Sequence, residues 1–432
     1  MLELPFKRIS VVGLGYIGLP TAAMFASRGV EVVGVDVSQG AVDTINRGDV
    51  HIVEPDLDMV VRSVVLDGYL RATTIPEPAE AFLIAVPTPF KGENHDPNLD
   101  FIEAAARAIA PVLEVGNLVI LESTSPVGAT EAMAGWLAEA RPDLSFPQDL
   151  GAASDIRIAH CPERVLPGKV MQELITNDRI IGGMTPSCSD AAAKLYYIFV
   201  KGECVVASSS RTAEMAKLTE NSFRDVNIAY ANELSLICDE LGMDVWELIS
   251  LANRHPRVNI LQPGPGVGGH CIAVDPWFIV ASAPEKARLI RAAREVNDGK
   301  PRWVIDQVQA AIGKHLMENP GKAAADVILA LYGLAFKPDI EDLRESPALA
   351  IAQELASSHP GRVLAVEPNI AELGGLIGDG IILTGYDNAL QQADIHVALV
   401  DHTPFKVAKP PTNMIVDTRG IWCAGAYTTS LD

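Results

Sequence analysis

The sequence is poor in positive charge. Its 432 residues contain 34 lysines and arginines against 55 aspartates and glutamates, which leaves a formal net charge of −21 at pH 7. Nucleic acids and anionic membrane surfaces are bound by basic protein faces. The charge balance therefore argues against a nucleic-acid or membrane partner, and an anionic ligand must be met by local arginines and lysines.

Long apolar runs and paired cysteines are also lacking. No hydrophobic stretch reaches the length of a membrane span, and the N-terminus runs from Lys7 and Arg8 directly into a strand-like segment without a small-residue cleavage site. The six cysteines form no CxxC pair, which fits neither a disulfide framework nor a zinc site. We therefore predict a cytoplasmic protein with reduced, mostly buried cysteines and no bound metal.

The apolar runs indicate an α/β fold. Residues 8–36 read as a β-branched strand, a glycine-rich turn, an alanine-rich helix and a second strand. Three further apolar runs are present, at 81–87, 117–123 and 156–160. Helical patterns then dominate from about 211 to 310, before a second α/β pattern. We predict two doubly wound Rossmann-like domains joined by a central helical region, with boundaries at 1–210, 211–315 and 316–432.

The turn between the first two predicted strands matches a dinucleotide-binding fingerprint. Gly13, Gly15 and Gly18 form a GxGxxG between a strand and a helix, and Asp36 ends the next strand. Such glycines let a pyrophosphate approach the helix N-terminus, and the carboxylate accepts hydrogen bonds from ribose. No arginine or lysine follows Asp36 before Arg47, so NAD is favoured over NADP. A glycine-rich turn without a cofactor is the alternative.

Polar residues follow three of the predicted parallel strands. Ligands of such sheets bind beyond the carboxyl ends of the strands. Thr88, Thr124 and Glu163 are therefore placed for function.

The segment KLTENSFR predicts a polar helix face, because Lys217, Asn221 and Arg224 recur at helical spacing. Such a row is commonly a solvated surface. Arg254, His255 and Arg257 follow in NRHPRVN, just ahead of the glycine-rich PGPGVGGHC, and together these groups suit a diphosphate and a sugar.

Cys271 ends the glycine-rich segment, and Asp275 follows four residues later. A thiolate, favoured by an ammonium such as that of Lys217, adds to an aldehyde to give an oxyanion that Lys217 and Asn221 are suited to stabilise. Loss of hydride leaves a thioester, and Asp275 is the nearest carboxylate for its hydrolysis. A buried, unreactive cysteine is the alternative.

The chain resembles the UDP-glucose/GDP-mannose dehydrogenase family, whose members use NAD to oxidise C6 of a nucleotide sugar to the carboxylate. The resemblance runs nearly end to end, in the family's order, through the motifs GLGYIGLP, AVPTP, ESTSPVG, PERVLPG, KLTENSFRDVNIAYANEL, PGPGVGGHC, GLAFKPDIEDLRESPA and DTRG.

The resemblance implies roles for the matching residues. Cys271 is expected to be the nucleophile, Lys217 and Asn221 to act at the oxyanion, and Asp275 with Thr124 to order the hydrolytic water. The expected cofactor contacts are Gly13, Gly15, Tyr16, Ile17, Gly18, Asp36, Thr88, Thr130 and Arg344. The expected substrate contacts, beside a catalytic Glu163, are Arg164, Val165, Lys217, Asn221, Arg224, His255, Arg257, Gly268, Phe336 and Lys337. Arg419 in DTRG is expected to reach the active site from the C-terminal domain.

The resemblance also implies a partner and a substrate branch. Family members dimerise through the central helices, which places Arg257 at the active site of a second subunit. The motifs GGHCIAVDP and PERVLPG differ from the GGSCFPKD and PEFLREG of UDP-glucose dehydrogenases and resemble the branch that acts on UDP-N-acetylhexosamines. The expected substrate is UDP-N-acetyl-D-mannosamine, for bacterial surface polysaccharide such as enterobacterial common antigen.

Other interpretations of the sequence stay open. UDP-N-acetylglucosamine and, further off, UDP-glucose are alternative substrates within the family. Two alternatives come from other classes of protein. One is a two-electron hydroxyacid dehydrogenase, whose reaction would not need Cys271. The other is a protein that binds a nucleotide sugar without turnover and therefore forms no NADH.

Overall fold

The structure of the protein is a computed structural model that describes residues 4–92, 95–269, 271–370 and 380–422. Its contacts divide the chain into two compact units. The first holds residues 1–220 and 277–284, and the second holds residues 221–276 and 285–432. The three sequence regions 1–210, 211–315 and 316–432 are a finer division and stay a prediction.

The first unit contains an eight-stranded sheet. Its strands are β1 Arg8–Val12, β2 Glu31–Val35, β3 Leu70–Thr73, β4 Ala81–Ile84, β7 Leu118–Leu121, β8 Arg157–His160, β9 Arg179–Gly183 and β10 Cys204–Val206. The spatial order is β10-β9-β8-β7-β4-β1-β2-β3, and all neighbours are parallel except β8 and β9. A separate two-stranded hairpin pairs β5 Phe90–Lys91 with β6 Asp96–Pro97.

Helices separate the strands of this sheet. They are α1 Gly18–Ala26, α2 Gln39–Asn46, α3 Leu57–Leu66, α4 Asp100–Ile109, α5 Ala129–Ala140, α6 Pro147–Leu150, α7 Val170–Thr176 and α8 Pro186–Tyr196. Successive residues of β1 belong to different apolar clusters, with Val11 in one and Val12 in the other. Since neighbouring side chains of a strand point to opposite faces, the sheet is buried on both sides, as a doubly wound fold requires.

The predicted central helices are present. They are α9 Ser210–Leu241, α10 Val245–Ala252, α11 Asp275–Ser282 and α12 Arg288–Glu318. Gly242 follows α9 at φ +65, a left-handed conformation that ends helices readily. Helix α12 extends past the predicted end near 310. Within the described ranges, no helix is both long and apolar enough to cross a membrane.

The second unit contains a five-stranded parallel sheet in the order β13-β12-β11-β14-β15. Its strands are β11 Leu329–Tyr332, β12 Val363–Val366, β13 Ile381–Leu383, β14 Ile395–Ala398 and β15 Met414–Asp417. The helices among them are α13 Pro347–Ser358, α14 Tyr386–Gln392 and α15 Thr403–Val407. Leu331 and Tyr332 again enter different apolar clusters. The predicted fold class, two Rossmann-like domains with a helical region between them in sequence, is confirmed.

Candidate active site

The glycine-rich turn of the first unit is shaped by close backbone contacts. Gly13 has φ +91, and a side-chain carbon there would lie 2.5 Å from the carbonyl oxygen of Ala85. A side-chain carbon on Gly18 would lie 1.7 Å from the carbonyl oxygen of Gly13. Helix α1 begins at Gly18 directly after the turn, so its first amides face the turn, as a phosphate site needs.

Asp36 lies beside this turn at the end of β2. Its carboxylate accepts hydrogen bonds of 2.9 Å from the backbone N–H of Leu14 and of Ser38. The group is only half-buried, and a carboxylate has further lone pairs for ribose hydroxyls. Tyr16, in the turn itself, is 39% exposed, and Ile17 precedes α1. This turn and its acid fit a dinucleotide.

The loops after β4 and β7 contact each other. The Thr88 hydroxyl donates to the carbonyl oxygen of Thr124. Ser123 strengthens the same junction through its hydroxyl, which donates to the carbonyl oxygen of Val86 at 2.7 Å. Both threonines are half-buried, so they lie at the edge of the sheet where ligands of such folds bind.

Thr130 lies deeper than a simple ligand contact requires. It is fully buried, and its hydroxyl and backbone N–H donate to Glu214 at 2.6 and 2.8 Å. Glu214 also accepts from the N–H of Gly128, so it binds the start of α5. The proposed cofactor contact of Thr130 stays a prediction, and no sequence pattern indicates the part that Glu214 plays.

Glu163 belongs to a buried ionic group. Arg179 donates to its carboxylate at 2.5 Å, and the N–H of Arg164 donates to the other oxygen at 2.7 Å. Nearby, the Tyr196 hydroxyl donates to Glu122 at 2.5 Å, and the Arg179 guanidinium lies 5.0 Å from the centre of the Tyr196 ring.

Burial raises the pKa of Glu122 to about 7 against the opposing effect of the Arg179 cation. Glu122 precedes the segment Ser123–Thr124, and Glu163 lies in PERVLPG, so this group connects the loops after β7 and β8. Arg164 itself pairs with Glu220 at 2.7 Å, and the adjacent Val165 is half-buried.

On α9, Lys217 is half-buried and lies one turn before Asn221. Arg224, in the next turn, is exposed. Helical spacing therefore gives these residues one face, as the sequence predicts.

The second unit brings Asn221, Asp275 and Cys271 together. The amide of Asn221 donates to the Asp275 carboxylate at 2.5 Å, and both residues are buried. The backbone N–H of Asp275 donates to the carbonyl oxygen of Cys271 at 2.9 Å. Cys271 is exposed, whereas Cys161, Cys188, Cys204 and Cys238 are buried. Cys423 and His270 lie outside the described residues.

The glycine-rich segment before Cys271 packs against the C-terminal sheet region. A side-chain carbon on Gly268 would lie 2.3 Å from the carbonyl oxygen of Glu345 and 2.9 Å from Cβ of Phe336. Arg419 donates to the carbonyl oxygen of Pro263 at 3.2 Å. Phe336 and Gly268 are therefore neighbours, and their contact to substrate stays a prediction.

The remaining predicted residues of the second unit lie on its surface. Arg254, His255 and Arg257 are exposed between α10 and the glycine-rich segment. Lys337 is half-buried, and the exposed Arg344 bonds to the Asp342 carboxylate through its Nε at 2.8 Å. Their contacts to ligands stay predictions.

A doubly wound domain with an open dinucleotide turn, in a chain that also carries an exposed thiol near an Asn–Asp pair, is typical of dinucleotide-dependent oxidoreductases. The comparisons with known proteins give the family. The chain belongs to the UDP-glucose/GDP-mannose dehydrogenase family, whose NAD binding domain, central domain and UDP binding domain match residues 7–200, 211–299 and 330–424. It is accordingly an oxidoreductase that acts on a CH–OH group.

Curated relatives cover nearly the whole chain. The UDP-N-acetyl-D-mannosamine dehydrogenases of Yersinia pestis and Escherichia coli (strain K12) are 66% and 64% identical over 420 residues, 96% of this chain and 99% of each relative. The NDP-N-acetyl-D-galactosaminuronic acid dehydrogenase of Ralstonia nicotianae is 62% identical over 98% of both chains. A solved UDP-D-ManNAc dehydrogenase from Pyrococcus horikoshii shares 39% identity and a TM-score of 0.83, with 96% of each chain covered.

Proposed function

We propose that the protein oxidises UDP-N-acetyl-D-mannosamine at C6 to UDP-N-acetyl-D-mannosaminuronate with NAD. The observation that carries this proposal is the 66% identity with a relative of that name over 96% of the chain. The buried Asn221–Asp275 pair beside the exposed Cys271 agrees with it. The product is an acidic sugar donor, and we propose its use in bacterial surface polysaccharide such as enterobacterial common antigen.

The cofactor is held by the first unit. Gly13 and Gly18 keep the turn close to neighbouring backbone, and Asp36 offers a carboxylate to ribose hydroxyls. Two NAD molecules, bound one after the other, would supply the oxidising capacity, one hydride acceptor for each oxidation. The half-buried Thr88 and Thr124 offer hydroxyls at the same edge of the sheet.

Cys271 carries the substrate between the two oxidations. The first oxidation removes a hydride from C6 and a proton from its hydroxyl, which leaves an aldehyde. The Cys271 sulfur then bonds to the aldehyde carbon, and Lys217 and Asn221 stabilise the resulting oxyanion. Loss of the second hydride forms a thioester, and a water ordered by Asp275 and Thr124 replaces the sulfur to give the carboxylate.

The first experiment measures NADH formed per sugar consumed. Purified protein receives NAD with UDP-N-acetylmannosamine, UDP-N-acetylglucosamine, UDP-N-acetylgalactosamine or UDP-glucose. The proposal expects about two NADH per sugar, as two-hydride chemistry requires, with the first substrate only. Turnover confined to another sugar contradicts the substrate assignment, and about one NADH per sugar contradicts the thioester route.

Two variants test the residue roles. Cys271→Ser is expected to lower acid formation by at least about a hundredfold, because serine is a much weaker nucleophile. Lys217→Ala is expected to lower turnover by about a hundredfold or more while NAD binding changes little. Full acid formation without the thiol, or equal loss of turnover and NAD binding, contradicts these roles.

We also propose a homodimer through α9. One line of this helix carries apolar side chains at heptad spacing, interrupted by the polar Asn227, and Phe223 and Tyr230 on it are 68% and 53% exposed. The line consists of Phe223, Asn227, Tyr230, Leu234, Ile237 and Leu241. Two copies of such a seam bury each other across a twofold axis, and Arg257 would then serve the partner's site.

Light scattering on a sizing column tests the dimer. Tyr230→Glu is expected to give monomers at concentrations where the native chain is dimeric, because it places a charge in the seam. Leu66→Glu, at an 80% exposed position on α3 of the first unit, is the control and should stay dimeric. A native monomer contradicts the proposal.

A further inference from the structure

A chain of buried polar side chains runs from the central helices to the cysteine loop, by which we mean residues 263–269 together with Cys271. Asn232 of α9 accepts the N–H of Gly264 through its Oδ1 at 2.8 Å. Its amide nitrogen donates to Oδ1 of Asn297 on α12, also at 2.8 Å. Asn297 in turn donates to the Asp225 carboxylate at 2.8 Å.

Arg294 of α12 is the last buried residue of this chain, and its guanidinium also pairs with the exposed Asp298. Its guanidinium donates to the Asp225 carboxylate at 2.6 Å. Asn232 and Asp225 are 0% exposed, and Asn297 and Arg294 are 1% exposed. None of these residues belongs to the group that performs the chemistry proposed above.

The order of donors in this chain has one physical solution. An ionised carboxylate only accepts, and a guanidinium only donates. Burial raises the pKa of Asp225, but the bonded Arg294 cation favours its ionised form. Asn297 must therefore turn its NH₂ to Asp225 and its carbonyl to Asn232. Asn232 must then turn its own carbonyl to the N–H of Gly264.

The cysteine loop is confined on its other side as well. Arg419 donates to the carbonyl oxygen of Pro263, and a side-chain carbon on Gly264 would lie 2.5 Å from the Arg419 guanidinium. A side-chain carbon on Gly266 would lie 3.0 Å from Pro347 and 3.3 Å from the carbonyl oxygen of Asn297. The loop backbone therefore has little room, and the Gly264 amide is its buried attachment to the helices.

A contribution to the stability of the fold does not by itself explain this chain of buried polar side chains. Buried ionic and polar groups often add no more stability than well-packed apolar side chains of similar volume, whereas they do specify one arrangement. What this chain specifies is the orientation of one amide toward the segment that leads to Cys271.

We propose that Asn232 is a positioning residue for Cys271, acting through the backbone of Gly264, with Asn297 and Asp225 fixing its amide orientation. The inference rests on the proposed function, because it assigns the nucleophile to Cys271. It extends that function from the groups that react to the buried groups that hold them in place.

The test measures two properties of Asn232→Ala. One is the rate at which iodoacetamide alkylates Cys271 between pH 6 and 9, monitored on the Cys271 peptide by mass spectrometry. The other is the division of any activity loss between kcat and KM. We expect the alkylation profile to shift and kcat to fall about tenfold to a hundredfold with little change in KM, because small displacements of a reacting group have effects of this size.

Asn117→Ala is the matched control. Asn117 is also buried, and its side-chain oxygen accepts the backbone N–H of Glu114 at the same 2.8 Å, in the turn before β7 of the first unit. The two variants should lose similar thermal stability, but only Asn232→Ala should change Cys271 alkylation and kcat. Equal effects of both variants on these readouts would falsify the inference.

A second variant serves if Asn232→Ala does not fold. Asn232→Asp keeps the size of the side chain and an acceptor for Gly264, but it turns an oxygen toward the carbonyl oxygen of Asn297. It should shift the alkylation profile in the same direction, and an unchanged profile overturns the inference.

Alkylation needs neither sugar nor dinucleotide, so its outcome is separate from the proposed function. Full acid formation by Cys271→Ser contradicts the proposed function whatever the alkylation rates are. A native enzyme that needs Cys271 but whose thiol does not respond to Asn232 contradicts the inference alone.

Discussion

The two Rossmann-like domains contain the same turn after their first strand. Gly13 follows β1 at φ +91, and Gly333 follows β11 at φ +86. The N–H of each glycine donates to the carbonyl oxygen of the last residue of the neighbouring strand. The acceptor is Val35 of β2 at 2.8 Å in the first domain and Val366 of β12 at 2.9 Å in the second. In each, the next N–H binds the acid after that strand, Asp36 at 2.9 Å and Glu367 at 2.7 Å.

The two acids have different surroundings. Asp36 is half-buried and keeps lone pairs for a ligand. Glu367 is 6% exposed and accepts a further bond from the imidazole of the fully buried His402, at 3.2 Å. Asp36 can therefore accept hydrogen bonds from a ligand, whereas the carboxylate of Glu367 is buried and bonded to its own turn and to His402.

The chain also leaves the two turns differently. Helix α1 begins at Gly18, five residues after Gly13, but α13 begins at Pro347, well after Gly333. The longer connection carries Phe336, which packs against the cysteine loop. The same turn therefore leads directly into a helix in the first domain, as the proposed phosphate site needs. In the second domain it leads into a longer segment that packs against the cysteine loop.

The largest expected effect comes from Gly18→Ala. The added carbon would lie 1.7 Å from the carbonyl oxygen of Gly13, so the turn must move. We expect NAD affinity, measured by calorimetry, to fall at least about a hundredfold, since the turn loses its approach to the pyrophosphate. Gly135→Ala is the control, because nothing lies within 4 Å of the added carbon and Gly135 is inside α5. Equal NAD binding by both variants removes the phosphate role.

Glu367→Gln tests the other acid. It weakens the contacts to His402 and the turn after β11, and we expect a loss of about 2 kcal/mol in the free energy of unfolding by urea. The matched variant Asp36→Asn is half-buried and should lose less than about 1 kcal/mol. A larger loss of stability in Asp36→Asn than in Glu367→Gln would contradict the proposed difference between the two acids.

The contribution of Glu367 to the stability of the fold depends on pH. Burial alone would raise the pKa of Glu367, but the hydrogen bonds from His402 and Leu334 hold it below its ordinary value. As the pH falls, the carboxyl group therefore binds a proton in the unfolded chain before it does so in the folded chain. Its contribution to the free energy of unfolding is present above the ordinary pKa range of glutamate and is lost below that range. The stability gap between the native chain and Glu367→Gln should shrink from pH 7 toward pH 4. A gap independent of pH contradicts this.

The smallest effect is one of selectivity. Asp36→Ala removes the carboxylate that we propose disfavours a 2′-phosphate. We expect the preference for NAD over NADP, measured as a ratio of kcat/KM values, to relax about tenfold. The fold should remain intact because the residue is half-buried. An unchanged ratio means that Asp36 does not contact the ribose.

Much of the fold was predictable because its signals are local. The strands near Val11 and Leu83 are apolar runs, and α9 is a long periodic pattern that ends at a glycine. The strands β3, β9 and β10 were not identified. β3 Leu70–Thr73 and β10 Cys204–Val206 are short, and β9 Arg179–Gly183 contains a buried arginine, so each gives a weak apolar signal.

The proximity of Cys271 and Asp275 was predictable, because the two residues are four positions apart in sequence. The bond from Asn221 to Asp275 joins residues 54 positions apart, and that between Tyr196 and Glu122 joins residues 74 positions apart. Such hydrogen-bonded pairs depend on how distant segments of the chain pack together, so no local sequence pattern predicts them. Glu214 and Asn232 were missed for the same reason.

The distribution of thiols has a consequence for redox sensitivity. Among the described cysteines, four are buried and the exposed one is Cys271. Oxidants attack accessible thiolates and leave enclosed thiols intact. Among the described cysteines, oxidation should therefore begin at the sulfur of Cys271 while the protein is still folded. Its early stages, sulfenic acid or mixed disulfide, should be reversible by a reductant.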